Sequence, residues 1–142
     1  MITTTKFPES HRDLIDGPYT VVLTTVMPDG QPQSTPVWCN RDGDYVLINT
    51  MRGFRKAKNM RANPKVTLLI FNAENPQHNI EIRGTVVEMT EENAVEHLDQ
   101  LTQLYLNDPH AKFFGDCIAP ELQATHTPVR VKITPTRVRV EG

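Results

Sequence analysis

The sequence predicts a mainly β fold, a small antiparallel barrel of six strands with helices on its flanks. Runs rich in β-branched residues recur about every ten residues, separated by turn signals such as Pro28-Asp29-Gly30 and Asp42-Gly43. Few segments have a helical pattern, and one run, VTLLI, is apolar enough for a strand inside the barrel. At 142 residues, 38% apolar and 23% charged, the chain reads as one globular domain over 1–142. A chain of that size buries roughly two thirds of its unfolded surface without needing staples.

PESHRDLIDG opens as a short helix, with Pro8 and Glu9 at its head and Gly17 as its stop. YTVVLTTVM is the first strand, QPQSTPVWC alternates loosely as the second, and YVLINT follows the RDGD turn as the third. FRKAKNMRAN is compatible with a helix that Asn63-Pro64 would end. KVTLLIF is the fourth strand. NIEIRGTVVEMT is a long fifth one, with Gly84 as a bulge or bend point. TEENAVEHLDQLTQLYLND is the clearest helix: Thr90 is placed to cap it, and Ala94, Leu98, Leu101 and Tyr105 share one face. Polar at both ends, that helix is expected across a barrel opening. The stretch from Asp108 to His126 is punctuated by Pro and Gly and gives no readable element. PVRVKITPTRVRVE closes as a strand pair or as one strand bent at Pro135.

Several function classes are disfavoured. No apolar run approaches the roughly 20 residues that cross a bilayer. The opening MITTTKFPESHRD has neither an apolar core nor a cleavage site, so no secretory signal is expected. Cys39 lies in an apolar, strand-like context and reads as a buried thiol in a reducing cytoplasm. Cys39 and Cys117 have no metal-ligand spacing, and the five His are scattered, so no metal site is expected. No Ser-His-Asp or Cys-His arrangement emerges, and no catalytic side chain is assigned.

Chemistry enters at RGFRKAKNMRANPK, where six Lys or Arg occupy fourteen positions without an acid in a chain of net charge −2. Gly53 precedes a helix start where free backbone N–H groups, the helix dipole, Arg55 and Lys56 would converge, with the Thr50 hydroxyl close by. Such an arrangement holds phosphate. A solvated helix face explains the same charges. Nucleic acid is the weaker reading, because only 6% of residues are aromatic and no base-stacking motif is present.

The run NTMRGFRKAKNMRANPKVTLLIF resembles the phosphate-binding segment of the pyridoxamine 5′-phosphate oxidase-like superfamily, the split-barrel flavin and deazaflavin oxidoreductases. TTVMPDGQPQSTPVWC upstream and HNIEIRGTVVEMTEE downstream match the same family in order and spacing, so the resemblance covers most of residues 7 to 107. It implies an FMN-binding type of split barrel, a homodimer with the cofactor site at its interface, and a small-molecule substrate. By resemblance, Arg55 and Lys56 hold the cofactor phosphate with Thr50, Asn49 lies beside them, and Lys58 is a further candidate. The strand carrying Thr35, Pro36, Val37 and Trp38 would run along the isoalloxazine-type ring, and Asn79 would reach the ring from the neighbouring subunit. Trp38 is as readily a core or interface residue, Asn49 a strand-end cap, and His78 a surface histidine.

The arginine motif with which the naming oxidase holds its product has no counterpart in TPTRVRVEG, so the resemblance points away from that activity. The short length and the PVW and IEIRG strands are more similar to the subgroup that uses the deazaflavin coenzyme F420. Its polyanionic tail gives a reason for cations beyond one phosphate, with Arg52, Lys58 and Arg61 as candidates. The implied activity is hydride transfer to an electron-poor small molecule, in which the protein binds and orients the cofactor and excludes solvent. An FMN enzyme on the same fold, and a non-catalytic module that stores a cofactor or haem-like ligand, are the alternatives.

Overall fold

The computed structural model describes residues 6–142. The opening stretch read against a secretory signal therefore lies partly outside the described residues. Seven strands form one antiparallel sheet, one more than the six expected: β1 (Thr20–Val26), β2 (Pro32–Val37), β3 (Cys39–Asp42), β4 (Tyr45–Met51), β5 (Lys65–Asn72), β6 (Asn75–Thr90) and β7 (Pro128–Glu141). The extra strand arises because QPQSTPVWC breaks at Trp38. Its first half pairs with β1, placing Val37 opposite Val21, and its second half pairs with β4, placing Cys39 opposite Ile48.

That break determines the architecture. The strand order is β2-β1-β5-β6-β7-β4-β3, so β2 and β3 lie at opposite edges. Trp38 alone joins them in the chain, which forces the sheet to curl until its edges approach. Among the described pairings no ladder links the two edges, which makes this a split barrel rather than a closed one. Both prolines of β2, Pro32 and Pro36, sit on an edge strand, where no outward N–H is needed.

The core fills the inside of the curl with alternate residues: Val21 and Leu23 on β1, Leu68 and Ile70 on β5, Ile80 and Ile82 on β6, Val131 and Ile133 on β7. Each fully buried aliphatic side chain contributes about 2 kcal/mol of transfer free energy. β5 is central as expected but not covered on both faces. Val66, Leu68 and Ile70 point inward, whereas Leu69 is 39% exposed on the outer face. β6 is bent where the register shifts between Arg83 and Gly84. A Cβ on Gly84 would stand 2.6 Å from Ile133 Cγ2 and 2.8 Å from Thr134 O, so only glycine lets β7 approach. PVRVKITPTRVRVE is a single strand that pairs with β6 on both sides of Pro135.

Three α-helices flank the sheet: α1 (Arg12–Asp16), α2 (Arg55–Ala62) and α3 (Ala94–Leu106). α3 starts later than expected. Its N-cap is Asn93 at φ 57, while Thr90 Oγ1 accepts the Glu92 N–H in the turn before it. Ala94, Leu98 and Leu101 are buried as the periodicity predicts. The region between α3 and β7 holds an irregular turn over Phe113–Cys117 and a short 3₁₀ segment over Pro120–Ala124. No helix of the described residues is long and apolar enough to cross a membrane.

Candidate functional site

A cavity of about 620 Å³ opens at the corner where the sheet edges approach. Pro36, Val37 and Trp38 form one wall, at the end of β2. Asn49, Thr50 and Met51 contribute the end of β4, and Phe54 and Lys56 the start of α2. Tyr19 and Val21 enter from β1 and the residues before it, and Leu98, Leu101 and Tyr105 close the cavity from α3. The barrel-opening position expected for α3 thus becomes a wall of the site.

α2 starts where it does because the chain turns sharply at its head. Phe54 N–H donates to Met51 O at 3.1 Å across a turn in which Gly53 has φ 85, a left-handed conformation that glycine adopts without strain. The cap residue Phe54 provides no side-chain acceptor, so the first-turn N–H groups of α2 keep no intrahelical partner. Lys56 is half-buried, forms no ion pair within 4.0 Å among the described residues, and burial pushes its ammonium below the ordinary lysine range. Thr50 Oγ1 is shielded from solvent and has no hydrogen-bond partner, and the same is true of Asn49 Oδ1. One cation, the start of α2, and a hydroxyl and an amide oxygen without partners among the described residues therefore belong to residues of this one cavity.

Asn49 is held from behind. Its Nδ2 donates to Ala94 O at 3.0 Å and to His97 Nδ1 at 3.2 Å, and His97 Nε2–H donates to Asn40 Oδ1 at 2.9 Å. Burial, with Arg130 nearby, pushes His97 down to about 4, so the imidazole is neutral and acts as both donor and acceptor. Asn49 is thus tied to α3 rather than capping a strand end. α2 is pinned in a similar way by Asn59, which is buried and donates from Nδ2 to Thr25 Oγ1 at 3.1 Å.

The other end of the cavity is aromatic. Trp38 stacks on Tyr105 with ring centroids 5.2 Å apart, and Phe113 meets Trp38 edge-on at 6.5 Å. The Tyr105 hydroxyl accepts the Cys39 N–H at 3.1 Å, and burial raises its pKa. Cys39 is a buried thiol as expected; burial pushes it up to about 12, which removes it as a nucleophile.

Of the ten residues singled out from sequence, Pro36, Val37, Trp38, Asn49, Thr50 and Lys56 line the cavity. Thr35 does not; it is half-buried on β2 opposite Leu23. Arg55 is the first residue of α2, beside the cavity but outside its lining, and Lys58 faces solvent. Asn79 is not part of the cavity lining; it lies on the outer face of β6, where its Nδ2 donates to Pro76 O and Gln77 O. Arg52 is engaged elsewhere: its Nε donates to Glu91 Oε2 at 2.6 Å. Tyr19, Met51, Phe54, Leu98, Leu101, Tyr105 and Phe113 were not foreseen as site residues. A partial signal existed for three of them, since Leu98, Leu101 and Tyr105 lie on the predicted apolar face of α3.

A split barrel with a cavity at its corner defines a class of cofactor-binding domains. The chain belongs to the pyridoxamine 5′-phosphate oxidase family, whose model matches residues 7–141. Among solved structures it is similar to an F420 reductase, with a TM-score of 0.77 and 26% identity over 94% of this chain and 98% of that one. A conserved hypothetical protein from Mycobacterium tuberculosis superimposes with a TM-score of 0.68 at 24% identity, over 98% and 87% of the two chains. The haem storage protein HutZ from Vibrio cholerae does so at 0.66 and 17%, over 97% and 96%. These last two likenesses show the fold alone. No curated protein matches the chain.

Proposed function

We propose that this protein is a deazaflavin (F420)-dependent oxidoreductase that passes hydride to an electron-poor small molecule. The observation that carries the reading is the convergence of Lys56, the orphaned Thr50 hydroxyl and the start of α2 on one cavity. These groups fit a phosphate: the ammonium supplies charge, and the hydroxyl and backbone N–H groups supply donors. Pro36, Val37 and Trp38 would line the ring, and the apolar walls would keep water away from it. When bound, a reduced deazaflavin supplies two-electron hydride chemistry. The described lining residues include no Asp, Glu, His or Cys, and in this reading Lys56 is engaged by the phosphate, so the proton comes from solvent.

The choice of F420 over FMN is supported by the 26% identity to an F420 reductase and by the spare cations of α2. Arg55, Lys58 and Arg61 recur on one helix face and form no ion pair among the described residues, which suits a polyanionic tail beyond the first phosphate. Arg52, paired with Glu91, is withdrawn from that role. A homodimer is part of the reading. Asn79 lies on the outer face of the sheet near its cross-strand neighbour Phe71 and the exposed Leu69, the face a second copy would cover.

The test is a side-by-side titration of the purified protein with F420 and FMN. Tight F420 binding by a colourless protein, with turnover on an enone or quinone, is the expected result. A yellow preparation carrying flavin would replace F420 by FMN. Failure of both at micromolar levels would remove the oxidoreductase reading, and binding without turnover on any acceptor would leave a storage module.

A further inference from the structure

The charged and aromatic ends of the cavity differ in kind. Among the described lining residues Lys56 is the one charged side chain, and the cradle that includes it suits a phosphate. The aromatic end is built by Trp38, Tyr105 and Phe113, none of which presents a charge. Phe113 does not sit on a loose loop. Its backbone N–H donates to Asp99 Oδ1 on α3 at 2.9 Å, and Lys112 N–H donates to Asp116 Oδ2 at 2.7 Å, closing the turn. Lys112 Nζ also lies 3.7 Å from Asp99 Oδ2. The Phe113 ring is thereby held edge-on to Trp38 as a fixed wall.

We infer that this aromatic wall receives the uncharged, planar part of the acceptor, and that Phe113 is its specificity-determining residue. Flat ring systems stack on Trp38 and meet Phe113 edge-on, as aromatic pairs prefer. An anionic group placed there would lose its hydration with no cation to replace it, once a phosphate has taken Lys56. The same wall therefore rejects acceptors that carry carboxylates or sulfonates on the buried ring. This rests on the proposed function for the identity of the molecule at Lys56, but the wall's selectivity can be measured without any cofactor.

Trp38 is the single tryptophan of the chain, so saturable quenching of its fluorescence reports occupancy of the wall directly. The probes are anthraquinone-2-sulfonamide and anthraquinone-2-sulfonate, which differ in one charge at nearly equal shape and offer no open carbon to the exposed Cys117 thiol. In concentrated phosphate buffer the sulfonamide is expected to bind at least about tenfold more tightly than the sulfonate. Phe113→Ala is expected to weaken the sulfonamide about 3- to 10-fold, the worth of one aromatic contact, with Phe113→Leu in between. Circular dichroism and an unchanged melting temperature establish that both variants are folded. Equal or tighter binding of the sulfonate overturns the inference, as does sulfonamide affinity unchanged by Phe113→Ala. Sulfonamide selectivity in a protein that binds neither F420 nor FMN would sink the cofactor reading while upholding the wall.

Discussion

Acidification should destabilise this protein at His97, and the size of that contribution follows from its surroundings. The imidazole is 3% exposed, lies between Asn49 and Asn40, and has Arg130 nearby; burial, then that charge, push its pKa from 6.5 to about 4. In the unfolded chain it titrates near 6.5. Between those values the unfolded state binds more protons than the folded one, so stability rises with pH and falls as pH drops through that window. A shift of that span corresponds to about 3 kcal/mol, of which about 2 kcal/mol is lost between pH 7 and 4.5. Urea unfolding followed by Trp38 fluorescence at pH 7 and 4.5, in wild type and in His97→Gln, isolates the term. Wild type should lose about 2 kcal/mol more than the variant on acidification, because glutamine keeps polar contacts but cannot titrate. Equal losses in the two proteins, or a His97 titration near 6.5 by NMR, would refute the reasoning. The consequence reaches the site, since protonated His97 can no longer accept from Asn49 Nδ2.

Lys56→Ala should weaken cofactor binding by about 1–3 kcal/mol, the scale of one charge-assisted hydrogen bond, measured by calorimetric titration. Its unfolding free energy should not drop, because the ammonium has no ion-pair partner among the described residues to lose. Thr50→Val should cost about 1 kcal/mol in cofactor affinity while leaving the melting temperature equal or higher, since Oγ1 has no partner among the described residues. Gly84→Ala should destabilise by about 1–3 kcal/mol in urea, because its Cβ meets Ile133 and the Thr134 carbonyl at 2.6 and 2.8 Å and the strands must part. A neutral effect at Gly84 would mean that β7 yields more readily than its pairing implies.

What the sequence made legible is local, and what it hid is set by partners far along the chain. Alternation and turn residues located most strands, and Gly53 and Asn63 bounded α2, since each signal acts within a few residues. The break at Trp38 was hidden because QPQSTPVWC reads as one run. Only the distant partners of its halves, Val21 and Ile48, show that they belong to opposite edges. Six of the residues that line the cavity were named through the family resemblance. Phe113 was not, because its place depends on a backbone bond to Asp99 and on the Trp38 ring, neither of which leaves a periodic trace. His97 lies three residues after Ala94 and four before Leu101, on the buried face of α3, but its partners Asn49 and Asn40 are distant in the chain, as is the Thr25 hydroxyl that meets Asn59.

Orphaned polar atoms do not by themselves mark a ligand site, as two of the four among the described residues show. Asn59 Oδ1 and Arg130 Nε are buried without partners and line no part of the cavity. Asn49 Oδ1 and Thr50 Oγ1 differ in lying on consecutive residues of one cavity wall that also includes a desolvated lysine. Each unmet group costs about 1–3 kcal/mol, which folding alone would select against at a place open enough to admit a partner. A ligand that meets Lys56 and Thr50 together should return part of that cost as stability. At a concentration of about 100 times its Kd, it adds about 2.7 kcal/mol, which raises Tm by on the order of 10 °C. FMN and F420 both carry the phosphate and should produce the shift. Riboflavin has the flavin ring without the phosphate, so it should produce much less, and Lys56→Ala should reduce the difference. If riboflavin stabilised the protein as well as FMN, the ring pocket rather than the Lys56 end would be the source of affinity, and the phosphate cradle would lose its support.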